Sequence, residues 1–184
     1  MDRDTIVFTA LASGLFFSSM LLGTRFSSEI IDIIREVMGF GGLGEGPLTI
    51  EMKLFLFAYI FARNSIVTTL NVALGPLLGL FPIITIFFNG FLIGGVGVAI
   101  MEEKGLEYVI LGLAPHGIVE IPAFIYSAVL GFKLAKQVIS QGFRGGGVSR
   151  IYIESLKLYI RRVIPLLIIA AFIESFITTY LLGL

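Results

Sequence analysis

The chain is 184 residues long, 57% of them apolar and 14% charged, with a mean hydropathy of +0.99. Too little polar surface exists to cover such a chain in water, which excludes a soluble globular protein and points to an integral membrane protein. Thirteen basic and thirteen acidic residues balance, and the absence of cysteine excludes disulfides, thiolate metal sites and thiol chemistry.

In chain order, residues 6–23 form a first apolar run. Asp2 and Asp4 spoil a basic leader, so this run is expected to be a retained transmembrane helix rather than a secretory signal. Residues 24–51 read as an extracytoplasmic loop. Within it Ile30, Ile33, Ile34, Val37 and Met38 recur at helical spacing, which predicts a short amphipathic helix on the membrane surface. Residues 52–80 exceed one upright crossing and predict either one tilted helix or a surface segment followed by a shorter span, and Pro82 opens a third span that ends near Met101.

The fourth region, 106–137, is also longer than one crossing and contains Pro115 and Pro122. Proline removes a backbone donor and disfavours helix at the preceding residue. A short re-entrant arm at 108–114, followed by a main span at 116–135, is therefore expected. Residues 138–162 hold a glycine linker and a basic interfacial helix, in which Arg150, Glu154, Lys157 and Arg161 share a face. A kink at Pro165 then leads into a fifth span. The predicted fold is all-α: one membrane domain, 1–184, of about five spans with a broken or re-entrant helix and amphipathic interfacial helices.

Residues 133–162 carry seven basic residues against Glu154 alone, whereas residues 24–53 carry three basic against five acidic. By the positive-inside tendency the late segment is cytoplasmic, which with five crossings puts the N-terminus inside the plasma membrane and the C-terminus outside.

Polar residues inside the apolar runs identify the candidate site. His116, the only histidine, stands four residues before Glu120 in Ala114-Pro-His-Gly-Ile-Val-Glu-Ile-Pro-Ala. On one continuous helix the pair shares a face and is able to hold a divalent metal or relay a proton. On a helix beginning near Pro122, Glu120 instead meets free amides at its N-terminal end. A satisfied structural histidine is the third reading. Glu174 lies midway along the last span, where it must be neutral, paired or ion-bound, and Arg63 is its natural counter-charge or that of Glu120. Asn64, Thr68, Asn71 and Gly75 fall on one helical face, as interhelical glue or as a solute path. Gly75, Gly79, Gly90, Gly94 and Gly117 are candidate helix-packing positions, within one subunit or between the subunits of a homo-oligomer.

The stretch from Asn64 to Gly79, then Phe88-Asn-Gly-Phe-Leu-Ile-Gly, then Pro115-His-Gly-Ile-Val-Glu-Ile-Pro-Ala and Ala170-Ala-Phe-Ile-Glu-Ser-Phe-Ile-Thr together resemble the stage II sporulation protein M family of integral membrane proteins. The proline-flanked histidine element is the most specific part. The resemblance implies a membrane protein with a shared polar core, carried here by Asn64, Asn89, Gly90, His116, Gly117, Glu120 and Glu174. In spore-forming bacteria the namesake belongs to a membrane complex for engulfment and septal wall remodelling. Asn71 and the proline after Gly75 stand outside the pattern.

Three function classes compete. A transporter- or channel-like protein would handle an ion, metal or small solute at His116 and Glu120, completed by Asn64, Asn89 and Glu174, with Arg63 balancing charge. A membrane scaffold would use the same polar residues to lock helices together and recruit membrane-protein partners. A metal-dependent intramembrane hydrolase ranks third, because one histidine cannot make a His-Glu-x-x-His zinc site and no Gly-x-Ser-x-Gly elbow is present. His116, Glu120 and Glu174 together form a candidate ligand set for a divalent metal such as zinc. The lipid bilayer is the expected surrounding, and nucleic acid is not an expected partner.

Overall fold

Helix α1 (Arg3–Gly23) begins where it does because the Asp2 carboxylate accepts the Thr5 backbone N–H at 2.8 Å, satisfying one of the free amides of the first turn. The computed structural model describes residues 2–38, 47–142 and 146–184; of residues 33–38 and 146 it describes the backbone only. The remaining helices are α2 (Ser27–Met38), α3 (Ile50–Ala73), α4 (Leu80–Lys104), α5 (Leu106–Gln141), α6 (Gly146–Leu158) and α7 (Ile164–Phe172), followed by a last turn, α8 (Thr179–Leu181). Among the described residues there is no strand, and five helical stretches are long and apolar enough to cross a bilayer.

No loop opens at Thr24. One 3₁₀ turn (Thr24–Phe26) carries α1 directly into α2, and the apolar helical stretch runs on from Arg3 to Asp32. Ile30 is buried and packs close to Gly95 of α4. The amphipathic positions Ile33, Ile34, Val37 and Met38 lie outside the described side chains. The loop beyond them, 39–46, and the glycine linker at 143–145 lie outside the described residues.

Thr49 caps α3 by accepting the Met52 N–H. The chain then reverses through Leu78 (φ 56°) and Gly79 (φ 71°), both in the left-handed region that glycine enters without steric cost. Pro82 falls in the first turn of α4, where a missing N–H leaves no hydrogen bond unmade. At the other end Gly105 (φ 90°) alone joins α4 to α5.

The break expected at Pro115 does not form, and neither does the re-entrant arm at 108–114. Helix α5 runs through both prolines as one 36-residue element. Each interior proline costs roughly 3 kcal/mol in an isolated helix. That cost is offset here because α5 is the central helix, packed against α1, α3, α4, α6 and α7, with Ala123, Phe124, Ala128, Leu130 and Leu134 buried. At 1.5 Å per residue it is about 54 Å long, well beyond a ~30 Å hydrocarbon layer.

The last span differs in the same direction. Instead of a separate interfacial helix, a kink and a span, helix continues from α6 to α8 through two π-helical turns, Tyr159–Val163 and Ile173–Thr178. In the first, the Ile164 N–H reaches back to the Tyr159 carbonyl, a wide pairing that accommodates the missing donor of Pro165 one residue later.

Lipid tails give apolar helices no hydrophobic reason to associate, so close contact and hydrogen bonds hold the bundle. A side chain at Gly23, Gly90 or Gly94 would collide with backbone across the α1–α4 seam, at Phe91, Phe16 and Met20 respectively. Gly75 and Gly131 bring the end of α3 onto α5 in the same way. Asn71, fully buried, donates to the Ser127 hydroxyl at 2.9 Å and accepts from Thr85 at 2.5 Å, tying α3, α4 and α5 together. The Tyr159 hydroxyl meets Thr68 (3.1 Å), Thr69 (2.8 Å) and the Ser65 carbonyl (3.2 Å). At the boundary, Lys133 pairs with Asp2 and Lys136 with Asp4, and the Lys133 ammonium, with the Thr5 amide, holds the Asp2 carboxyl well below the usual carboxylate range.

Candidate functional site

Because α5 is unbroken, His116 and Glu120 lie one turn apart on a common face, rather than with Glu120 at a helix N-terminus. Glu174 arrives from the second π turn. Such a turn fits an extra residue into one revolution, re-aims the side chains within it, and recurs at functional sites. The local sequence supports it: the Ser175 and Thr179 hydroxyls each donate at 2.7 Å to the carbonyl four residues back, supplying donors to backbone oxygens that the wide turn disturbs.

One ligand atom each from His116, Glu120 and Glu174 lies within 4.8 Å of the others, and none of the three residues is exposed. The His116 Nδ1 is closed off from solvent and has no hydrogen-bond partner. The Thr178 hydroxyl, four residues after Glu174, is likewise buried and unpartnered. From α3, Asn64 is 3% exposed and faces Glu120, while Arg63 stands near enough to act electrostatically on both carboxylates.

Asn89 shares a cavity with His116 and Glu120. It lines a cavity of about 340 Å³ between α1, α4 and α5 whose walls also include Ile93, Leu113, His116, Gly117 and Glu120. Its amide donates to the Thr85 carbonyl at 2.7 Å. Asn71 is elsewhere, with its amide and oxygen both engaged in the core network. Among the glycines, Gly79 serves the left-handed turn before α4, and a Cβ there would come within 3.1 Å of Phe132. Gly117 presses on no neighbouring helix: a Cβ there would meet only Ile121 of its own helix, at 3.9 Å. Tyr159, Ser127 and Thr85, which knit the polar core, were not anticipated, since each is an isolated polar residue with no spacing signal.

An imidazole and two carboxylates suit zinc or a similar divalent ion, and three protein ligands leave a fourth position open, as in sites that bind water or substrate. A tetrahedral centre with ~2.1 Å bonds has ligand-to-ligand edges of about 3.4 Å, shorter than the 4.8 Å within which these atoms lie, so the side chains would draw closer on holding an ion. Two carboxylates this close inside a membrane must be neutral, paired with a cationic side chain such as Arg63, or ion-bound.

The chain matches the stage II sporulation protein M family over residues 5–179, taking in every one of these residues. It belongs to that family. It is also similar to two uncharacterized proteins of Methanocaldococcus jannaschii. One is 35% identical over 136 residues, covering 70% of this chain and 76% of the relative. The other is 34% identical over 133 residues, covering 70% of this chain and 58% of the relative. No solved structure matches. Membership of the stage II sporulation protein M family agrees with the resemblance in the sequence motifs and with a multi-pass membrane protein.

Proposed function

We propose that this stage II sporulation protein M family member binds a divalent metal ion, with zinc the best fit, at His116, Glu120 and Glu174 within the bilayer, and that it handles that ion or a small solute there. The unpartnered His116 Nδ1 beside two carboxylates carries this reading, because a polar atom buried without a partner is costly unless something else satisfies it. Asn64 orients Glu120, Arg63 balances the second carboxylate, and Asn89 faces the adjoining cavity.

Purified protein in lipid nanodiscs, loaded with zinc and desalted, should retain about one ion per chain by elemental analysis. Glu120→Gln and His116→Ala should lose it while remaining monodisperse and helical. A folded wild-type protein that retains no stoichiometric metal would overturn the reading. Zinc flux into proteoliposomes separates transport from binding alone.

The second reading, a membrane scaffold, is favoured by the fully engaged Asn71 network and the glycine seam, which show polar and small residues of this bundle acting as glue. On that reading His116→Ala changes folding yield and nothing else.

A further inference from the structure

We propose that the ligand of this site enters sideways from the lipid layer, and that it is a single-chain amphiphile with a hydroxyl or amine head. The inference rests on the reading of His116 and Glu120 as a binding site, but not on the identity of the metal.

Depth is the first argument. Asn89 and Ile93 sit towards the middle of the 25-residue α4, and His116 and Glu120 lie within the fourth span, so the cavity they share is level with acyl chains rather than with water. Exposure is the second. Ile110, Ala114 and Ile118 border the cavity at spacings of four, which places them on one stripe of α5, and all three are exposed on the outer surface, Ile118 by 73%. Between α-helical ridges of that kind the opening faces hydrocarbon, and what lies against it is a chain, not a hydrated ion.

Size and chemistry define the occupant. A cavity of about 340 Å³ is at the small end of the roughly 300–1,000 Å³ range of ligand sites, room for one hydrocarbon chain and not for a two-chain phospholipid. Its walls are aliphatic and aromatic except where Asn89, His116 and Glu120 line it, and of these Asn89 supplies an amide oxygen and Glu120 a carboxylate. Those are acceptors. An alcohol or amine can donate to them.

The test is photolabelling of the full-length protein in phosphatidylcholine nanodiscs with a dodecan-1-ol carrying a mid-chain diazirine. Adducts mapped by mass spectrometry should concentrate on peptides bearing Ile93, Leu113 and Ile121. Excess dodecan-1-ol should suppress them at least tenfold, and dodecane at the same mole fraction at least fivefold less effectively. Gly117 lines the cavity and a Cβ there meets no other helix, so Gly117→Leu should lower labelling at least tenfold, with zinc content reporting whether the ligand set is intact.

Labelling that does not saturate, that spreads evenly over lipid-facing positions, or that dodecane suppresses as well as dodecan-1-ol would overturn the proposal. Competition in the wild-type protein decides the matter even where Gly117→Leu folds poorly. Saturable labelling in a protein that holds no metal sinks the metal reading alone; retained metal without saturable labelling sinks this one alone.

Discussion

His116 and Asn71 are both buried polar residues on central helices, yet they sit in opposite chemical situations. Asn71 has its amide and its oxygen engaged by Ser127 and Thr85, whereas the His116 Nδ1 has nothing. The contrast predicts opposite phenotypes. Asn64→Ala, which removes the group facing Glu120, should weaken zinc binding about 10–100-fold with little loss of stability, as for other residues that orient a metal ligand. Asn71→Ala should leave zinc affinity unchanged and lower stability by about 1 kcal/mol, the typical worth of interhelical hydrogen bonds in a membrane. Zinc titration and denaturation in mixed micelles measure the two. The four-residue interval between His116 and Glu120 was readable from the sequence because helix geometry alone sets it. The approach of Glu174 was not, since it depends on a π turn and on packing across 54 residues of chain.

The helices show the same division at larger scale. Five apolar runs were legible because bilayer thickness imposes their length. Their ends and interruptions were not: proline signals a break in an isolated helix, but Pro115 and Pro122 are held in α5 by neighbours the sequence does not place side by side. Glycine is similarly ambiguous, since spacing cannot say which glycine touches another helix. Gly94→Ala sets a Cβ onto the Met20 carbonyl and should cost about 1–3 kcal/mol as α1 and α4 are forced apart. Gly117→Ala meets open space and should raise stability by about 0.5–1 kcal/mol, because alanine is the better helix former. Unfolding of the two variants under matched conditions gives the sign of each.

At the level of the whole molecule, two contacts distant in sequence sort the ends of the bundle. Lys133 and Lys136 near the end of α5 pair with Asp2 and Asp4, so the chain start and the end of α5 share one side. Lys53 at the start of α3 donates to the Leu184 carbonyl at 3.2 Å, grouping the third helix's beginning with the chain end. These contacts fit five crossings; the basic residues of 133–162 argue that the first of the two sides is cytoplasmic. With no native cysteine to interfere, Gln141→Cys should react with an impermeant maleimide only after cells are permeabilised, and Glu102→Cys should react in intact cells. The reverse pattern would invert the orientation.

The one-residue connection at Gly105 bears on how such a bundle moves. Two long rods joined by a single residue have no slack with which to slide past each other, so α4 and α5 can only pivot about that corner. On the proposed binding role, an opening of the site would keep that pair joined at this margin, and a shift of the last span would carry Glu174 away from His116 and Glu120.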